Sequence, residues 1–443
     1  MVMARDKSFQ DLFIYMNGIF VGKLTREYTG RLVFAYDEGW LAFENTRPIS
    51  LSLPLTEIPY KGNVVDSFFD NLLPDSELIR ERIQARFGAA SKKPFDLLTF
   101  TGRDCIGALQ ILTEPVKSSV KKIQAEHITD HAIAKLLKHY QTAPLGMDKD
   151  LDFRISIAGA QEKSALLWYE NKWHLPKGVT PTSHIIKLPI GHINHSGIDL
   201  SESVENEWLC LKILSGFGLP VNHARIIQFA DVKTLAVERF DRHWAENKKW
   251  LMRLPQEDLC QALGIPPILK YESDGGPGIE DVMKVLLGSQ DANEDRKNFM
   301  KTVFLFWVLA AIDGHAKNFS LKIEAQGRYR LAPLYDVISA YPLAANRQMD
   351  FQKLKMAMSL KSKNRHYLWN TIQPRHWIAM AERCQFSSVM MQEIINEVCD
   401  NMENVISQVT KKLPANFPPH IADSIFTGMR KVRHLCIGHK VFK

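Results

Sequence analysis

Three oxygen-bearing side chains between residues 313 and 336 have the types and the order that phosphoryl transfer requires. Asp313 and Asn318 lie in the segment DGHAKN, and Asp336 follows after two short apolar runs. Phosphoryl transfer needs a carboxylate that accepts or orients the proton of the attacking hydroxyl. It also needs oxygen ligands that hold Mg²⁺ against the phosphates. This set of residues therefore indicates a phosphotransfer site.

The spacing around DGHAKN is the one that protein kinases use, Asp-x-x-x-x-Asn followed by a strand pair and a second Asp. His315 and Lys317 lie inside the segment, where either could meet the γ-phosphate. An apolar helix is expected to end at Ile312, so the alternative is that DGHAKN only caps that helix and starts a turn. The strand-like runs FSLKI and RYRLAPLY, joined by EAQGR, and the Asp336 that they deliver favour the kinase arrangement.

A lysine on an upstream strand is the next expected component. Lys187 stands among isoleucines and leucines in SHIIKLPI, and burying such an ammonium is costly without a partner. The partner predicted from helical spacing is Glu207, with Glu205 as the competing candidate. The alternative is a lysine at a sheet edge that extends to water beside a surface glutamate.

The loop that covers the phosphates has the weakest signal. Neither G-x-x-x-x-G-K-[ST] nor G-x-G-x-x-G occurs, which argues against a P-loop NTPase. The turn from Ala158 to Lys163, between two apolar runs, is small and polar enough to approach phosphate, although a plain hairpin is the simpler interpretation. The strand TLAVERFDRH turns polar at Glu238, as an adenine-binding hinge would, and SDGGPG (273–278) is expected to be a flexible loop.

The elements that must position these residues follow an α+β order. Apolar runs on both sides of Asn17-Gly18 predict a hairpin. The next helix is predicted to start at Asp75 or Ser76 and to end at Gly88, with an apolar face of Leu78, Ile79, Ile83 and Phe87. Strands are expected from 152 to about 250 with one helix near 203–215, and mainly helices from about 290. We predict a small N-terminal module over 1–115, a connecting segment over 116–150, a kinase N-lobe-like part over 151–250 and a mainly helical lobe over 251–443.

Composition restricts the function class. The chain has 443 residues, 45% of them hydrophobic and 24% charged, with a formal charge of +7. This predicts a globular protein of two lobes whose mild positive charge is weak evidence for a phosphate-rich partner. The N-terminus lacks the features of a signal peptide, and the most apolar segment, TVFLFWVLAAI, is too short for a membrane span. Six cysteines without paired spacing favour a reducing cytoplasm over zinc or disulfides.

Seven segments in this order resemble the HipA family of bacterial toxin kinases: FFDNLLPDS, RISIAGAQEK, HIIKLPIG, LAVERFDR, RLPQEDLCQ, DGHAKNFS and PLYDVISAYP. The resemblance runs through nearly the whole chain. It implies a two-lobed kinase-like fold with an extra N-terminal module. It also implies a serine/threonine protein kinase that uses ATP and Mg²⁺.

The resemblance assigns a role to each matching residue. Asp313 is implied to be the catalytic base, Asn318 and Asp336 the magnesium ligands, and Ser156 a site of autophosphorylation that ejects the ATP loop. The implied ATP-binding residues are Ala158, Gly159, Ala160, Gln161, Glu162, Lys163, Lys187, Glu238, Arg239, Phe240, His315, Ala316, Lys317, Asn318, Tyr335 and Asp336.

The resemblance also implies partners. Family members are neutralised by a small helix-turn-helix antitoxin, HipB, in a complex that represses its own operon, and the target of one member is glutamate–tRNA ligase. In this chain Glu382 stands where a DNA-contacting basic residue is expected, and only Arg383 supplies positive charge in AERCQF. Operator binding is therefore expected mainly through the antitoxin, although the basic segment MRKVRHLCIGHK (429–440) could contribute.

Two further function classes stay open at this point. A small-molecule kinase of the aminoglycoside or choline type would share the fold and the Asp…Asn…Asp order. An inactive kinase fold could serve as a scaffold in a DNA-bound complex, although such a scaffold would not need Asp313, Asn318, Asp336 and Lys187 together.

Overall fold

The computed structural model describes residues 10–115, 120–142, 163–193, 197–246 and 248–438. The chain divides into two compact units, each assembled from separate stretches. Unit 1 comprises Met1–Ile185, Arg239–Ile268 and Lys322–Arg328, and unit 2 comprises Ile186–Glu238, Leu269–Leu321 and Tyr329–Lys443. Helices and strands both contribute, which confirms the predicted α+β class. The predicted sequence boundaries at 115, 150 and 250 stay predictions.

The first part of unit 1 is a five-stranded antiparallel sheet with four helices. In chain order its elements are β1 (Gln10–Met16), β2 (Ile19–Arg26), β3 (Leu32–Tyr36), α1 (Glu38–Leu41), β4 (Tyr60–Lys61), α2 (Asn63–Asp70), α3 (Glu77–Phe87), α4 (Pro94–Thr101) and β5 (Leu109–Leu112). The strand order is β4-β3-β2-β1-β5. Asn17 and Gly18 have φ of 48° and 84°, which is the left-handed geometry of a two-residue hairpin turn, so the predicted hairpin is confirmed.

Helix α3 confirms its predicted ends but not its whole predicted face. The Ser76 hydroxyl accepts a hydrogen bond from the Ile79 amide at 3.4 Å, and Gly88 ends the helix with φ of 66°. Ile83 is buried, whereas Leu78 is 67% exposed, so the expectation that Leu78 belongs to the apolar face is wrong. Leu78 lies one position before Ile79, and this places it about 100° around the helix from that residue.

The rest of the chain adds fifteen strands and nine helices among the described residues. After the N-terminal module come β6 (Ala125–His127), α5 (Asp130–Thr142), β7 (Lys163–Tyr169), β8 (Lys172–Pro176), β9 (His184–Lys187), β10 (Gly191–Ile193), β11 (Ile198–Leu200), α6 (Ser203–Gly216), β12 (Ala224–Phe229), β13 (Val232–Glu238), β14 (Arg242–Ala245), β15 (Trp250–Arg253), β16 (Gln256–Asp258) and α7 (Leu259–Ala262). The remaining elements are α8 (Ile279–Val285), α9 (Ala292–Val308), β17 (Ser320–Ile323), β18 (Tyr329–Leu331), α10 (Tyr341–Ala345), β19 (Lys355–Lys361), β20 (Arg365–Leu368), α11 (Pro374–Arg383), α12 (Ser388–Thr410) and α13 (Pro419–Gly438).

Unit 2 contains a helical core beside two hairpins. Strands β12 and β13 pair antiparallel, as do β19 and β20. Helices α9, α11, α12 and α13 pack around fully buried rings such as Trp307 and Trp377, whose centroids lie 5.9 Å apart. The helices predicted near 203–215 and over the C-terminal part are confirmed. No helix within the described residues is long and apolar enough to cross a membrane.

A buried ionic cluster ties the N-terminal module of unit 1 to the later strands of the same unit. The Asp104 carboxylate contacts the guanidinium groups of Arg239, Arg242 and Arg253 at 3.4, 2.9 and 3.1 Å. Asp241 pairs with Arg239 at 2.7 Å and accepts a hydrogen bond from the Gly107 amide. Burial alone would raise the pKa of Asp241, but the two neighbouring guanidinium groups hold it below its usual value. Removing one member of such a cluster would leave an uncompensated buried charge.

Glu257 in β16 is a second buried carboxylate of unit 1, in a different electrostatic setting. It accepts hydrogen bonds from the Ser50 hydroxyl at 2.5 Å and from the Leu51 amide at 2.8 Å. Burial disfavours the charged form more than these bonds favour it, and raises the pKa of Glu257 to about 8. At neutral pH this carboxyl is therefore largely protonated.

Replacing Glu257 with Gln should flatten the pH dependence of the unfolding free energy between pH 5 and 8. The pKa of Glu257 is higher in the folded chain than in the unfolded chain. Its contribution to stability is therefore fully present when the pH is below the pKa of the unfolded chain, and it is lost as the pH rises towards the pKa of the folded chain. The wild-type slope should exceed the variant slope by up to about 1.4 kcal/mol per pH unit. Urea unfolding at several pH values measures both slopes, with Glu57→Gln as an exposed control. Equal slopes in the wild type and Glu257→Gln would contradict this assignment.

Candidate active site

A buried lysine in unit 2 lies between two carboxylates. The Lys187 ammonium at the end of β9 contacts the two Glu207 oxygens at 2.7 and 2.8 Å, and Asp336 Oδ1 at 2.9 Å. Lys187 is 5% exposed and Glu207 2%. Burial by itself would lower the pKa of Lys187, but the charges of Asp336 and Glu207 raise it, so the ammonium stays protonated.

Helix α6 supplies the carboxylate that the sequence predicted. The ion pair between Lys187 and Glu207 is present, while Glu205, the competing candidate, instead pairs with Lys233 of β13. Both glutamates are buried, since almost the whole of α6 is enclosed. The alternative of an edge lysine extending to water is wrong, because Lys187 is enclosed and bonded on two sides.

The backbone around Asp336 is fixed by side chains of α6 and by the end of α9. Asn206 forms two hydrogen bonds of 2.8 Å with the backbone of Ser339, and the Asp336 amide donates to Glu207 Oε1 at 3.2 Å. The Ser339 hydroxyl donates to the Leu309 carbonyl at 2.5 Å. Asp336 has φ of 60°, a left-handed conformation that costs energy for a residue with a Cβ. The surrounding hydrogen bonds hold this conformation and direct the carboxylate to Lys187.

Asp313 lies beyond the helix that precedes it. Helix α9 ends at Val308 rather than at Ile312, because Ala310 has φ of 48° and the amides of Ala310 and Ala311 bond back to Trp307 and Phe306. The predicted helix end is therefore wrong by four residues. The alternative that DGHAKN forms the helix cap is wrong as well. Asp313 is exposed, as a carboxylate that receives a substrate hydroxyl must be.

Only a glycine fits at position 314, directly after Asp313. A Cβ built on Gly314 would lie 2.4 Å from a carbon of the buried Phe306 ring, which leaves no room for a side chain. The backbone of the DGHAKN segment (313–318) thus packs directly on α9. Within the segment the His315 amide donates to the Asp313 carbonyl at 2.8 Å, and the Asn318 amide to the His315 carbonyl at 3.0 Å.

Asn318 has the features of a metal ligand. Its side-chain nitrogen donates to the Asp336 carbonyl at 3.3 Å, and its Oδ1 is buried with no hydrogen-bond partner in the described part of the chain. A buried amide oxygen without a partner, next to the backbone of Asp336, fits a ligand position for a divalent cation.

The metal expected here is Mg²⁺ rather than zinc. Mg²⁺ is usually held by one or two protein oxygens together with substrate phosphates and water. No cluster of three or more His, Cys, Asp or Glu is found among the described residues, so the part of the chain described here offers no all-protein metal cage. Asn318 and Asp336 would be its two protein ligands.

The other predicted ATP-binding residues of the DGHAKN segment are buried beside Asn318. His315, Ala316 and Lys317 are 6%, 0% and 7% exposed. The Tyr335 hydroxyl donates to the Lys317 carbonyl at 2.9 Å and is 2.5 Å from the Ser320 hydroxyl. Tyr335 thus fixes the backbone of the segment, and contact of these residues with nucleotide stays a prediction.

The predicted ATP loop and hinge are described only in part. Ser156 and Ala158–Glu162 lie outside the described residues, and Lys163 begins β7 in unit 1. Glu238 ends β13 in unit 2, whereas Arg239 and Phe240 belong to unit 1. The Arg239 side chain is 1% exposed inside the ionic cluster, and its amide donates to Ser183. The Arg239 side chain is thus engaged with Asp104 and Asp241, and a contact of Arg239 with nucleotide stays a prediction.

One residue at the site was missed by the sequence analysis. The Tyr271 hydroxyl donates to Asp313 Oδ1 at 2.6 Å, and its ring lies edge-on against His315 with centroids 4.9 Å apart. Tyr271 comes from the segment KYESDGGPG, whose glycines were interpreted only as a flexible loop. An aromatic and an acidic residue directly before a glycine-rich turn were the available signal.

Two family models match the chain. The model described as the HipA N-terminal domain matches residues 12–112, and the model described as the HipA-like C-terminal domain matches residues 155–406. The chain belongs to the HipA family. The HipA-like kinase identified from sequence motifs is thereby confirmed at the level of the family.

Individual relatives agree with the family models. The chain is 34% identical to Y4mE of Sinorhizobium fredii over 339 residues, which are 75% of this chain and 78% of that protein. It is 25% identical to the serine/threonine-protein kinase toxin HipA of Shewanella oneidensis over 340 residues, 74% of this chain and 75% of that one. Among solved structures it resembles the HipA, HipB and operator DNA complex of the Shewanella oneidensis MR-1 toxin–antitoxin system. The TM-score is 0.79 at 19% identity, over 98% of this chain and 100% of that one, and this likeness confirms the kinase-like fold.

Replacing Asn318 with Ala should weaken the binding of Mg²⁺ together with ATP. The change removes the buried amide oxygen but leaves Lys187 and Glu207 in place. We expect the Mg²⁺ concentration that half-saturates nucleotide binding to rise by at least about tenfold. Titration calorimetry with ATP at a series of Mg²⁺ concentrations measures this, with Asn364→Ala in an exposed turn as the control. An unchanged Mg²⁺ requirement would remove Asn318 from the metal site.

Proposed function

We propose that this protein is an ATP- and Mg²⁺-dependent serine/threonine protein kinase that acts as the toxin of a toxin–antitoxin pair. The observation that carries the proposal is the cluster in unit 2 where Lys187 and Asp336 lie in contact and Asn318 adjoins Asp336. Asp313 stands exposed in the same segment as Asn318. A kinase needs three kinds of group: a lysine that binds the phosphates, oxygen ligands that bind the metal, and a carboxylate that receives the proton of the acceptor hydroxyl.

Each residue has a distinct task in this proposal. Lys187, held by Glu207, binds the ATP phosphates, and Asn318 and Asp336 hold the cation. Bound Mg²⁺ neutralises phosphate charge and orients the transferred group. Asp313 orients the acceptor hydroxyl and takes up its proton. The remaining predicted ATP contacts, Ala158–Lys163, Glu238 and Phe240, would cover the phosphates and the adenine.

The proposed partners are a HipB-like antitoxin, operator DNA and a protein substrate of the translation apparatus, glutamate–tRNA ligase in the first instance. The solved complex that resembles this chain contains HipB and operator DNA. Arg383 pairs with Glu280 at 2.9 Å, and Arg430 pairs with Glu403 at 2.8 Å, both within unit 2. Arg383 and Arg430, two arginines that could contact DNA, thus already form ion pairs within this chain. This favours operator binding mainly through the antitoxin. The proposal includes a cytoplasmic location and the four-part division at 115, 150 and 250.

Replacing Asp313 with Gln should abolish phosphoryl transfer and leave ATP binding within about twofold. Gln is one methylene longer than Asp and its amide cannot take up the hydroxyl proton, while Lys187 and Asn318 are untouched. Radiolabelled ATP is added to cell lysate with the wild type, with Asp313→Gln, or with Asp423→Gln, which changes an exposed acid of α13. A protein band labelled at Ser or Thr should appear with the wild type and Asp423→Gln only.

Two outcomes would contradict the proposal. Wild-type labelling by Asp313→Gln would remove Asp313 from its role. Label that enters only small alcohols and no protein would instead favour a small-molecule kinase.

Autophosphorylation at Ser156 is the second prediction of this proposal. After incubation with Mg²⁺ and ATP, mass spectrometry should find phosphate on Ser156, and substrate labelling should slow as it accumulates. Ser156→Ala should keep its initial rate for longer. Unmodified Ser156 in protein that phosphorylates a substrate would contradict self-inactivation.

A further inference from the structure

We propose that Tyr271 is a positioning residue for phosphoryl transfer, which holds one oxygen of the Asp313 carboxylate so that the other can receive the acceptor hydroxyl. The inference rests on the proposed function, because it assigns Tyr271 a task through Asp313. It concerns only residues of unit 2.

The contact itself is short and directed. The Tyr271 hydroxyl donates to Asp313 Oδ1 at 2.6 Å, within the range of a strong hydrogen bond to a carboxylate. Asp313 is exposed, and its carboxylate makes no other hydrogen bond within the described residues. The Tyr271 ring lies edge-on against the buried His315, which restricts its rotation. The phenol is therefore the group that selects one rotamer of an otherwise exposed side chain.

The backbone that carries Tyr271 is anchored at the next residue. Glu272 is buried, and its carboxylate accepts hydrogen bonds from the Ser359 amide at 2.6 Å and from the Ser359 hydroxyl at 3.0 Å. The Lys361 ammonium lies 3.2 Å from the same carboxylate. These contacts fix the loop to β19. Before Tyr271, the Lys270 carbonyl accepts a hydrogen bond from the Ala316 amide at 3.3 Å, which joins the loop directly to the DGHAKN segment.

Two glycines allow the loop to pack closely on itself. A Cβ on Gly276 would lie 1.8 Å from the Leu269 carbonyl oxygen, and a Cβ on Gly278 would lie 2.6 Å from the Glu272 carboxyl carbon. The Gly276 amide also donates to the Tyr271 carbonyl at 2.9 Å. Gly276 and Gly278 thus meet a packing requirement, and the flexibility expected of this loop stays a prediction.

A fixed carboxylate has a direct benefit for the reaction. An exposed aspartate samples several rotamers, and only some of them direct an oxygen to the acceptor hydroxyl. A hydrogen bond from a rigid loop removes that freedom before the substrate arrives, so little reorganisation is needed during the reaction. Tyr271 should therefore affect the rate of the bound complex more than the binding of ATP or substrate.

The same geometry would suit a different role, in which the Tyr271 hydroxyl is itself a phosphate acceptor. A phosphate on that oxygen would stand against the Asp313 carboxylate, and like charges at that distance repel strongly. The anchored loop would have to release Tyr271 first. The positioning role fits the observed contacts without such a change.

The test compares Tyr271→Phe with Tyr329→Phe in the full-length protein. Tyr329 also donates a 2.6 Å hydrogen bond, to the Val285 carbonyl, so the control loses a similar bond away from Asp313. We expect Tyr271→Phe to lower kcat for protein phosphorylation by about 10- to 100-fold, with KM for ATP and ATP affinity within about twofold. Tyr329→Phe should keep the wild-type kcat.

A double-mutant cycle tests whether the loop anchor acts through Tyr271. Ser359→Ala weakens the Glu272 anchor while the Ser359 amide remains, so the fold should be retained. It should lower kcat when Tyr271 is present and have no further effect in the Tyr271→Phe protein. Equal fractional losses in both backgrounds would show that the anchor does not act through Tyr271 and would overturn this part of the inference.

The outcomes separate this inference from the proposed function. A wild-type kcat in Tyr271→Phe, or phosphate on Tyr271, overturns the positioning role. If the wild type labels protein and Asp313→Gln does not, the proposed function stands in either case. If the wild type labels no protein, the proposed function fails, and the positioning role fails with it.

Discussion

The ion pair of Lys187 with two carboxylates is the constraint on which the site depends. A buried ammonium is tolerated only when anionic groups surround it, and here one comes from helix α6 and the other from the segment after β18. Satisfying Lys187 therefore brings β9, α6 and Asp336 together. The strained backbone of Asp336 and its hydrogen bonds to α6 follow from the same requirement.

Hydrogen bonding at Asn318 is incomplete in a way that suits the proposed metal ligand. Folded proteins rarely leave a buried amide oxygen without a donor, and Asn318 Oδ1 has none in the described part of unit 2. A divalent cation that carries phosphates would supply the partner that this oxygen lacks. The folded chain therefore leaves one ligand position unsatisfied, and the proposed complex of Mg²⁺ and ATP would fill it.

The sequence was informative where the cause of a structure is local. The Asn17-Gly18 hairpin and the caps of α3 depend on a few adjacent residues with particular backbone preferences. The pair of Lys187 and Glu207 was predictable for a different reason, since a lysine in an apolar strand needs an acid and helical spacing offered only two.

The features that were missed depend on distant contacts or on strain. Helix α9 ends early because Ala310 adopts a left-handed conformation that alanine rarely takes. The residue types at this position therefore do not predict the helix end. Tyr271 reaches Asp313 across 42 positions of sequence, and its loop is held in place by the contact of Glu272 with Ser359 of β19, a distant contact that the local sequence does not reveal. The buried ion pairs of Arg239 with Asp104 and Asp241 were not expected either, because they join residues 135 positions apart in the sequence as well as near neighbours.

The most direct test of the central claim is a crystal structure of the full-length protein with Mg²⁺ and a non-hydrolysable ATP analogue. The account predicts a magnesium ion bound by Asn318 Oδ1 and the Asp336 carboxylate, phosphate oxygens at the Lys187 ammonium, and the terminal phosphate facing Asp313. A nucleotide bound elsewhere, with the contacts of Lys187, Glu207 and Asp336 unchanged and no metal at Asn318, would contradict it.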